Sequence, residues 1–200
     1  MGIFEEEMVD VRDYITQIFR PNEIFHNGNC YSFDYKEVQV DFMCVTHEHY
    51  DSNYHYLAFN DLGNYIGRIA HRLGLKYGQE GLWYEHYFKG GNIARIPISK
   101  DYRDIFKFLG LSYERWEQGF DELEDIFEYI STCKFFNWEM FQLSRLNKIN
   151  RERNLKRKSY MLFLEWMDKN VRDDNHLFEF NQSQECYNDE IADAFYLSKL

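Results

Sequence analysis

One carboxylate interrupts an apolar run near the start of the chain, and its position calls for a chemical explanation. The run is Val38-Gln39-Val40-Asp41-Phe42-Met43-Cys44-Val45. Its pattern predicts a β-strand, in which Asp41 points away from the side that holds Val40 and Phe42. A carboxylate there is costly unless it is solvated, hydrogen-bonded or bound to a cation. Asp41 is therefore a candidate metal ligand.

Two further sets of polar residues could contact phosphate groups. The first set lies in or just after an amphipathic segment and comprises Asn60, Asn64, Arg68 and Lys76. The second lies in 145–158, which holds seven basic residues against one glutamate: Arg145, Lys148, Arg151, Arg153, Lys156, Arg157 and Lys158. Such a density of cations suits phosphate backbones. The alternatives are a helix cap at Asn60 or Asp61 and a solvated helix face that offsets an acidic body.

A histidine-rich segment offers a different metal chemistry. Thr46-His47-Glu48-His49-Tyr50-Asp51 resembles the zinc motif of metallo-β-lactamase-fold hydrolases. His47 and His49 could bind one zinc ion and Asp51 a second. The next histidine of that motif is absent, because Ser52 stands in its place. A polar surface loop with chance histidines is the simpler interpretation.

Composition narrows the class of protein. The chain has 200 residues, 44% of them apolar, and a net charge of -11, which argues against general coating of nucleic acid. Its four cysteines are scattered, which favours free thiols in a reducing cytoplasm. The apolar runs are shorter than the ~20 residues that span a bilayer, and the acidic start lacks a secretory signal. We therefore expect a cytoplasmic protein with no membrane partner.

The order of predicted elements indicates an α+β fold with a small antiparallel or mixed sheet, followed by a helical C-terminal region. The early elements are a helix over Glu5–Phe19, a hairpin turning at Asn27-Gly28-Asn29, the strand of Asp41, a loop over His47–His55, a helix over Phe59–Leu73, and a hairpin of Gly81–Phe88 and Asn92–Ile98. Predicted helices follow over Asp101–Leu109, Ser112–Gln118, Asp121–Ser131 and Asn137–Met167, with a weak one near Asp189–Leu200. We expect an α+β region over 1–100 and a helical region over 101–200 packed on it, or one single domain.

Most of the chain resembles a family of nucleotidyltransferase-like proteins with a DNA polymerase β-type palm, found in large DNA viruses, phages and some fungi. The matching pieces are SFDY followed by VQVDF, NDLGNYIGRIAHRLGLKYGQEGLWY, ISKDYRDIFKFLGLSYERWEQGFDELEDIFEYISTCKFFN and RNLKRKSYMLFLEW. The resemblance implies that Asp41 is the third of three carboxylates that hold magnesium. It also implies that Arg68 and Lys76, with Asn60 and Asn64, contact a nucleoside triphosphate, and that the basic segment contacts an RNA or DNA acceptor.

The chain departs from that family in one place. No Gly-Ser pair followed by D-x-[DE] precedes Asp41, so the chain looks like the family without its first strand-helix-strand unit. Three hypotheses follow: a magnesium-dependent transferase that moves a nucleoside monophosphate from an NTP to a hydroxyl, an inactive palm remnant that serves as a binding or assembly module, and a zinc hydrolase. A missing palm strand would leave an open sheet edge, which invites a protein partner or self-association. If the chain is viral, its location is the cytoplasm of the host cell.

Overall fold

The computed structural model describes residues 2–4, 10–87 and 93–171. The chain divides into two compact units, 1–54 and 55–200. The boundary expected near residue 100 falls inside the second unit, after its hairpin.

The first unit is a mixed sheet with one helix. Its strands are β1 (Gly2–Phe4), β2 (Phe25–Asn27), β3 (Cys30–Tyr35) and β4 (Val38–Val45), in the order β1-β4-β3-β2. β1 runs parallel to β4, and the other pairs are antiparallel. Helix α1 (Val11–Phe19) begins where the Asp10 carboxylate accepts the amides of Arg12 and Asp13. A small core of Ile15, Phe33 and Phe42 joins the helix to the sheet.

The second unit combines a three-stranded antiparallel sheet with most of the helices. Its elements in chain order are α2 (Tyr50–Leu57, which starts before the boundary), α3 (Leu62–Arg72), β5 (Leu75–Gly78), β6 (Gly81–Tyr87), β7 (Ile93–Ser99), α4 (Tyr102–Leu109), α5 (Tyr113–Gln118), α6 (Leu123–Ser131), α7 (Lys148–Leu155) and α8 (Lys158–Asn170). Short 3₁₀ turns cover Trp138–Phe141 and Leu143–Arg145 in this unit, and another covers His47–His49 at the end of the first unit. None of the described helices is both long and apolar enough to cross a membrane.

Helix α3 lies at the centre of the second unit. Tyr65, Ile66 and Ile69 are buried on it, and they belong to one large core that also holds Phe106 and Phe163. The N-terminal end of α3 closely approaches α2. A Cβ atom built at Gly63 would lie 2.3 Å from the carbonyl oxygen of Tyr56, so only glycine fits there.

The expected α+β class with a helical C-terminal region is confirmed, and so are both hairpins. The loop expected over His47–His55 is wrong, because a 3₁₀ turn and the start of α2 occupy it. Ser52 and Asn53 are buried there and donate side-chain hydrogen bonds to the His49 carbonyl oxygen, which gives these polar residues a helical position.

Two other expectations changed in detail. The long helical stretch expected over Asn137–Met167 is broken, since Asn137 and Asn147 each accept a backbone amide and so start new elements. Strand β5 was not foreseen. The helix expected near Asp189–Leu200 and the first part of the helix expected over Glu5–Phe19 lie outside the described residues.

Candidate functional site

Asp41 lies on β4 in the orientation that the sequence predicts. Its side chain is exposed, whereas Phe42 beside it is buried. Asp41 pairs with Ser32 across the sheet, and its Oδ1 accepts a hydrogen bond of 3.0 Å from Gln39 Nε2. Among the described residues, no three His, Cys, Asp or Glu side chains lie close enough to hold a metal ion together. A magnesium ion on Asp41 would therefore take its other ligands from substrate, water or residues outside those ranges.

The histidine-rich segment folds as a 3₁₀ turn that leads into α2. The Thr46 hydroxyl lies 2.8 Å from His49 Nδ1, so this ring nitrogen already has a partner. No metal-binding group of three joins His47, His49 and Asp51 within the described residues. The zinc hydrolase stays a prediction.

A buried carboxylate anchors the start of α3. Asp61 receives hydrogen bonds from the side chains of Arg157 and Ser159, and a third of 2.7 Å from Asn64 Nδ2. Arg157 and Ser159 stand at the corner between α7 and α8, so Asp61 ties that corner to α3. The guanidinium of Arg157, which the sequence suggested for nucleic-acid binding, is thus held in an ion pair. Asn60 beside it is exposed and has a φ of 57°.

A polar groove of about 250 Å³ separates α3 from α7, and we call it the α3–α7 groove. It brings together residues from the two sets that the sequence indicated: Asn64 and Arg68 on α3, and Arg153 on α7. The other lining residues are Tyr56, Gly63, Gly67, His71, Leu146, Asn147, Asn150, Asn154 and Tyr160. None of these described lining residues is acidic, in a chain whose net charge is -11.

Arg68 is fixed in the groove wall. Its Nε donates to the Met140 carbonyl oxygen at 2.9 Å, and its Nη2 donates to the Arg145 carbonyl oxygen at 3.3 Å. Burial of the side chain, with a smaller effect of Arg72, lowers the pKa of Arg68. A guanidinium remains charged in proteins even so, and the groove therefore holds a positioned cation.

His71 lies on α3 one turn beyond Gly67, at the rim of the groove. Partial desolvation is the largest cause that lowers its pKa below the ordinary 6.5, and the charges of Lys76, Arg68 and Arg72 lower it further. The imidazole is therefore mainly neutral near pH 7, and it becomes an added cation in acid.

Helix α7 faces the groove with amides. Asn147 caps the helix, because its Oδ1 accepts the Asn150 amide at 2.9 Å. Asn150 and Asn154 follow one turn apart, which places them on one face. Both are half-buried, and neither side-chain amide bonds to another described residue. No pattern in the sequence had singled out these two asparagines.

The other suggested cations fall into two groups. Three have an acidic partner: Lys76 with Glu85 at 3.7 Å, Arg145 with Glu139 at 3.6 Å, and Lys148 with Glu152 at 4.0 Å. The last two pairs are exposed, and exposed pairs contribute about 0–1 kcal/mol each. The remaining cations are exposed and have no ion pair with any described residue: Arg151, Arg153, Lys156 and Lys158. Arg153 alone among these four lines the α3–α7 groove.

No family model matches the chain, and no curated protein or solved structure is significantly similar to it. The resemblance to nucleotidyltransferase-like proteins stays a prediction. Function is therefore inferred from the geometry of the groove.

Proposed function

We propose that the second unit binds a phosphorylated ligand, a nucleoside triphosphate or a nucleic-acid backbone, in the α3–α7 groove. One observation carries this proposal. Arg68 and Arg153 lie on opposite walls of one groove, and none of its described lining residues is a carboxylate. An acidic protein that keeps two guanidinium groups together without an acidic neighbour in the groove has a site suited to an anion.

The two arginines serve the ligand differently. Arg68 is held by two carbonyl oxygens, so it supplies a fixed charge without a further loss of side-chain freedom. Arg153 is exposed and has no ion pair with a described residue, so its guanidinium is available to bind a phosphate. His71, Asn64 and the α7 amides add hydrogen-bonding groups around them.

Nucleotidyl transfer is the reaction that the family resemblance adds to this binding. An acceptor hydroxyl of RNA or DNA would bond to the α-phosphorus of an NTP and lose its proton to water, while the bond to the leaving pyrophosphate would break. Asp41 lies in the first unit and would supply one carboxylate ligand to a magnesium ion, a role proposed independently of the groove in the second unit. The exposed position of the Asp41 carboxylate on β4 supports this role, and the scattered cysteines favour a reducing cytoplasm, that of the host if the chain is viral. A binding or assembly module without catalysis is the alternative.

Calorimetric titration tests the binding. Inorganic tripolyphosphate and the four common NTPs are titrated into the full chain, with and without magnesium, and into Arg153→Ala and Arg151→Ala. Arg151 is the matched control, because it is an exposed arginine of the same helix that does not line the groove. We expect Arg153→Ala to weaken tripolyphosphate binding about tenfold, equal to about 1.4 kcal/mol, and Arg151→Ala to change it little. Equal losses in both variants, or no binding by the unaltered chain, would overturn the proposal.

The catalytic role of Asp41 has its own test. Asp41→Asn should leave tripolyphosphate binding in the groove unchanged, and it should abolish magnesium-dependent transfer. Full transfer activity in Asp41→Asn would remove Asp41 from the mechanism. Absence of transfer in the unaltered chain, with NTP binding retained, would favour the binding module.

A further inference from the structure

We infer that the α3–α7 groove receives an unpaired base of a single-stranded nucleic acid, and that Asn150 and Asn154 hydrogen-bond to the edge of that base. This inference rests on the proposed function, which supplies the phosphate contact, and it names the kind of ligand. It places a base-reading role on two residues of α7.

The two amides carry the inference. Each side-chain amide offers an acceptor oxygen and an NH₂ donor, and both side chains are half-buried without a hydrogen bond to another described residue. These amides still reach solvent, so the edge of a ligand can replace the water that they bind. The edge of a nucleobase presents donors and acceptors side by side, which an amide can match.

The position of these amides favours a single strand over a duplex. Asn150 and Asn154 line a groove between two helices and are half-buried in it. To read base pairs, a helix must itself enter the major groove of a duplex, which recessed side chains cannot do. A base of a single strand is free to leave the stack and enter a pocket.

Cations on one flank of α7 can follow the backbone of such a strand. Arg153 and Lys156 are three positions apart, which makes them neighbours on the helix surface, about 5–6 Å between Cβ atoms. Both are exposed and have no ion pair with a described residue. At 100° per residue, Arg151 lies on the other flank of Asn150 and Asn154. The base would enter the groove while phosphates lie along Arg153 and Lys156.

A set of matched strands tests this arrangement by fluorescence anisotropy of the full chain. The probes are a short labelled single-stranded DNA, an abasic strand of the same length and charge, and the corresponding duplex. The variants are Asn150→Ala/Asn154→Ala, Arg153→Ala/Lys156→Ala and the control Arg151→Ala. Circular dichroism and tryptophan fluorescence confirm that each variant is folded.

The expected results separate base contacts from phosphate contacts. The strand with bases should bind about tenfold more tightly than the abasic strand. The double asparagine variant should lose that difference and keep the affinity for the abasic strand. The Arg153/Lys156 variant should weaken both and reduce the slope of log affinity against log salt by about 1.4, from about 0.7 for each phosphate contact.

The contrary results fall into two kinds. Equal affinity for the abasic strand and the strand with bases, or for the duplex and the single strand, would overturn the inference and leave the phosphate-binding function standing. If neither any strand nor tripolyphosphate binds, the proposed function fails as well.

Discussion

Replacing Asp61 with alanine tests the tie between α3 and the α7–α8 corner. The Asp61 side chain is only 9% exposed, and it accepts hydrogen bonds from Arg157, Ser159 and Asn64. The substitution removes all three acceptor contacts and leaves the Arg157 guanidinium, which is 28% exposed, without its counter-ion. We therefore expect a large loss of stability in the second unit.

The size of the loss follows from the burial of the pair. Removal of one partner from a buried ion pair costs about 3–5 kcal/mol, because the other charge stays behind uncompensated. Since Arg157 reaches solvent in part, and the half-buried Ser159 and Asn64 can find water, we expect the low end, about 3 kcal/mol. Arg157→Met added to Asp61→Ala should recover at least about 1 kcal/mol, because it removes the unpaired charge.

Equilibrium unfolding in urea, followed by tryptophan fluorescence, measures the loss of stability of the second unit. All four tryptophans belong to the second unit, at positions 83, 116, 138 and 166. Glu139→Ala is the control, since it breaks the exposed pair with Arg145 and should cost under about 1 kcal/mol. A loss below about 1 kcal/mol in Asp61→Ala, or a double variant less stable than Asp61→Ala, would refute the reasoning.

Three further predictions concern α3 and a buried thiol. Gly63→Ala should destabilise the chain by more than about 2 kcal/mol, because the added Cβ meets the Tyr56 carbonyl oxygen at 2.3 Å. Gly67→Ala on the same helix should stabilise the chain by about 0.5–1 kcal/mol, because the nearest atom to its Cβ is 3.9 Å away. Urea unfolding that gives both changes in stability the same sign would contradict this. The pKa of His71 is lowered below 6.5, so its contribution to stability is complete above pH 6.5 and is lost as the pH falls through its folded-state pKa. Over the same pH range, binding of an anion in the groove should strengthen. His71→Gln should flatten the pH profiles of both stability and anion binding, and an NMR titration that finds the His71 pKa at or above 6.5 would be the contrary result. Burial raises the pKa of the Cys133 thiol to about 12. Peptide-resolved mass spectrometry should therefore find this thiol unlabelled by iodoacetamide in the folded chain and labelled in urea. Labelling at the same rate in both conditions would count against its burial.

Features that depend on neighbours in sequence could be predicted from the sequence. The apolar run over 38–45 predicted the strand, and the alternation of faces within a strand placed Asp41 opposite Phe42. Helix starts followed from cap residues, since Asp101 and Ser112 each accept a backbone amide at the start of α4 and α5. Gly110 ends α4 with a φ of 74°, as its position after Leu109 indicated. The helix starts and the end of α4 depend on contacts within four residues, whereas the strand also needs its pairing with β3.

The groove and its anchor could not be predicted in the same way. Asp61 and Arg157 are 96 positions apart, and Arg68 lies 72 positions from the Met140 carbonyl oxygen that holds it. The residue types suggested phosphate contact at Arg68 and Arg153, but only the packing of α3 against the C-terminal helices places them in one groove. Asn150 and Asn154 gave no signal at all, because an exposed helix face and a ligand-binding face have the same composition.

The seven basic residues in 145–158 overstate the number of cations that are available to a ligand. Of the seven basic residues in 145–158, Arg157 is held by Asp61, Arg145 lies beside Glu139, and Lys148 lies beside Glu152. The other four have no ion pair with a described residue, and two of them, Arg153 and Lys156, are neighbours three positions apart, of which Arg153 lines the groove with the amides. Binding of a strand should therefore show a modest salt dependence, that of about two or three phosphate contacts. A slope that required all seven cations would place the strand elsewhere on the molecule.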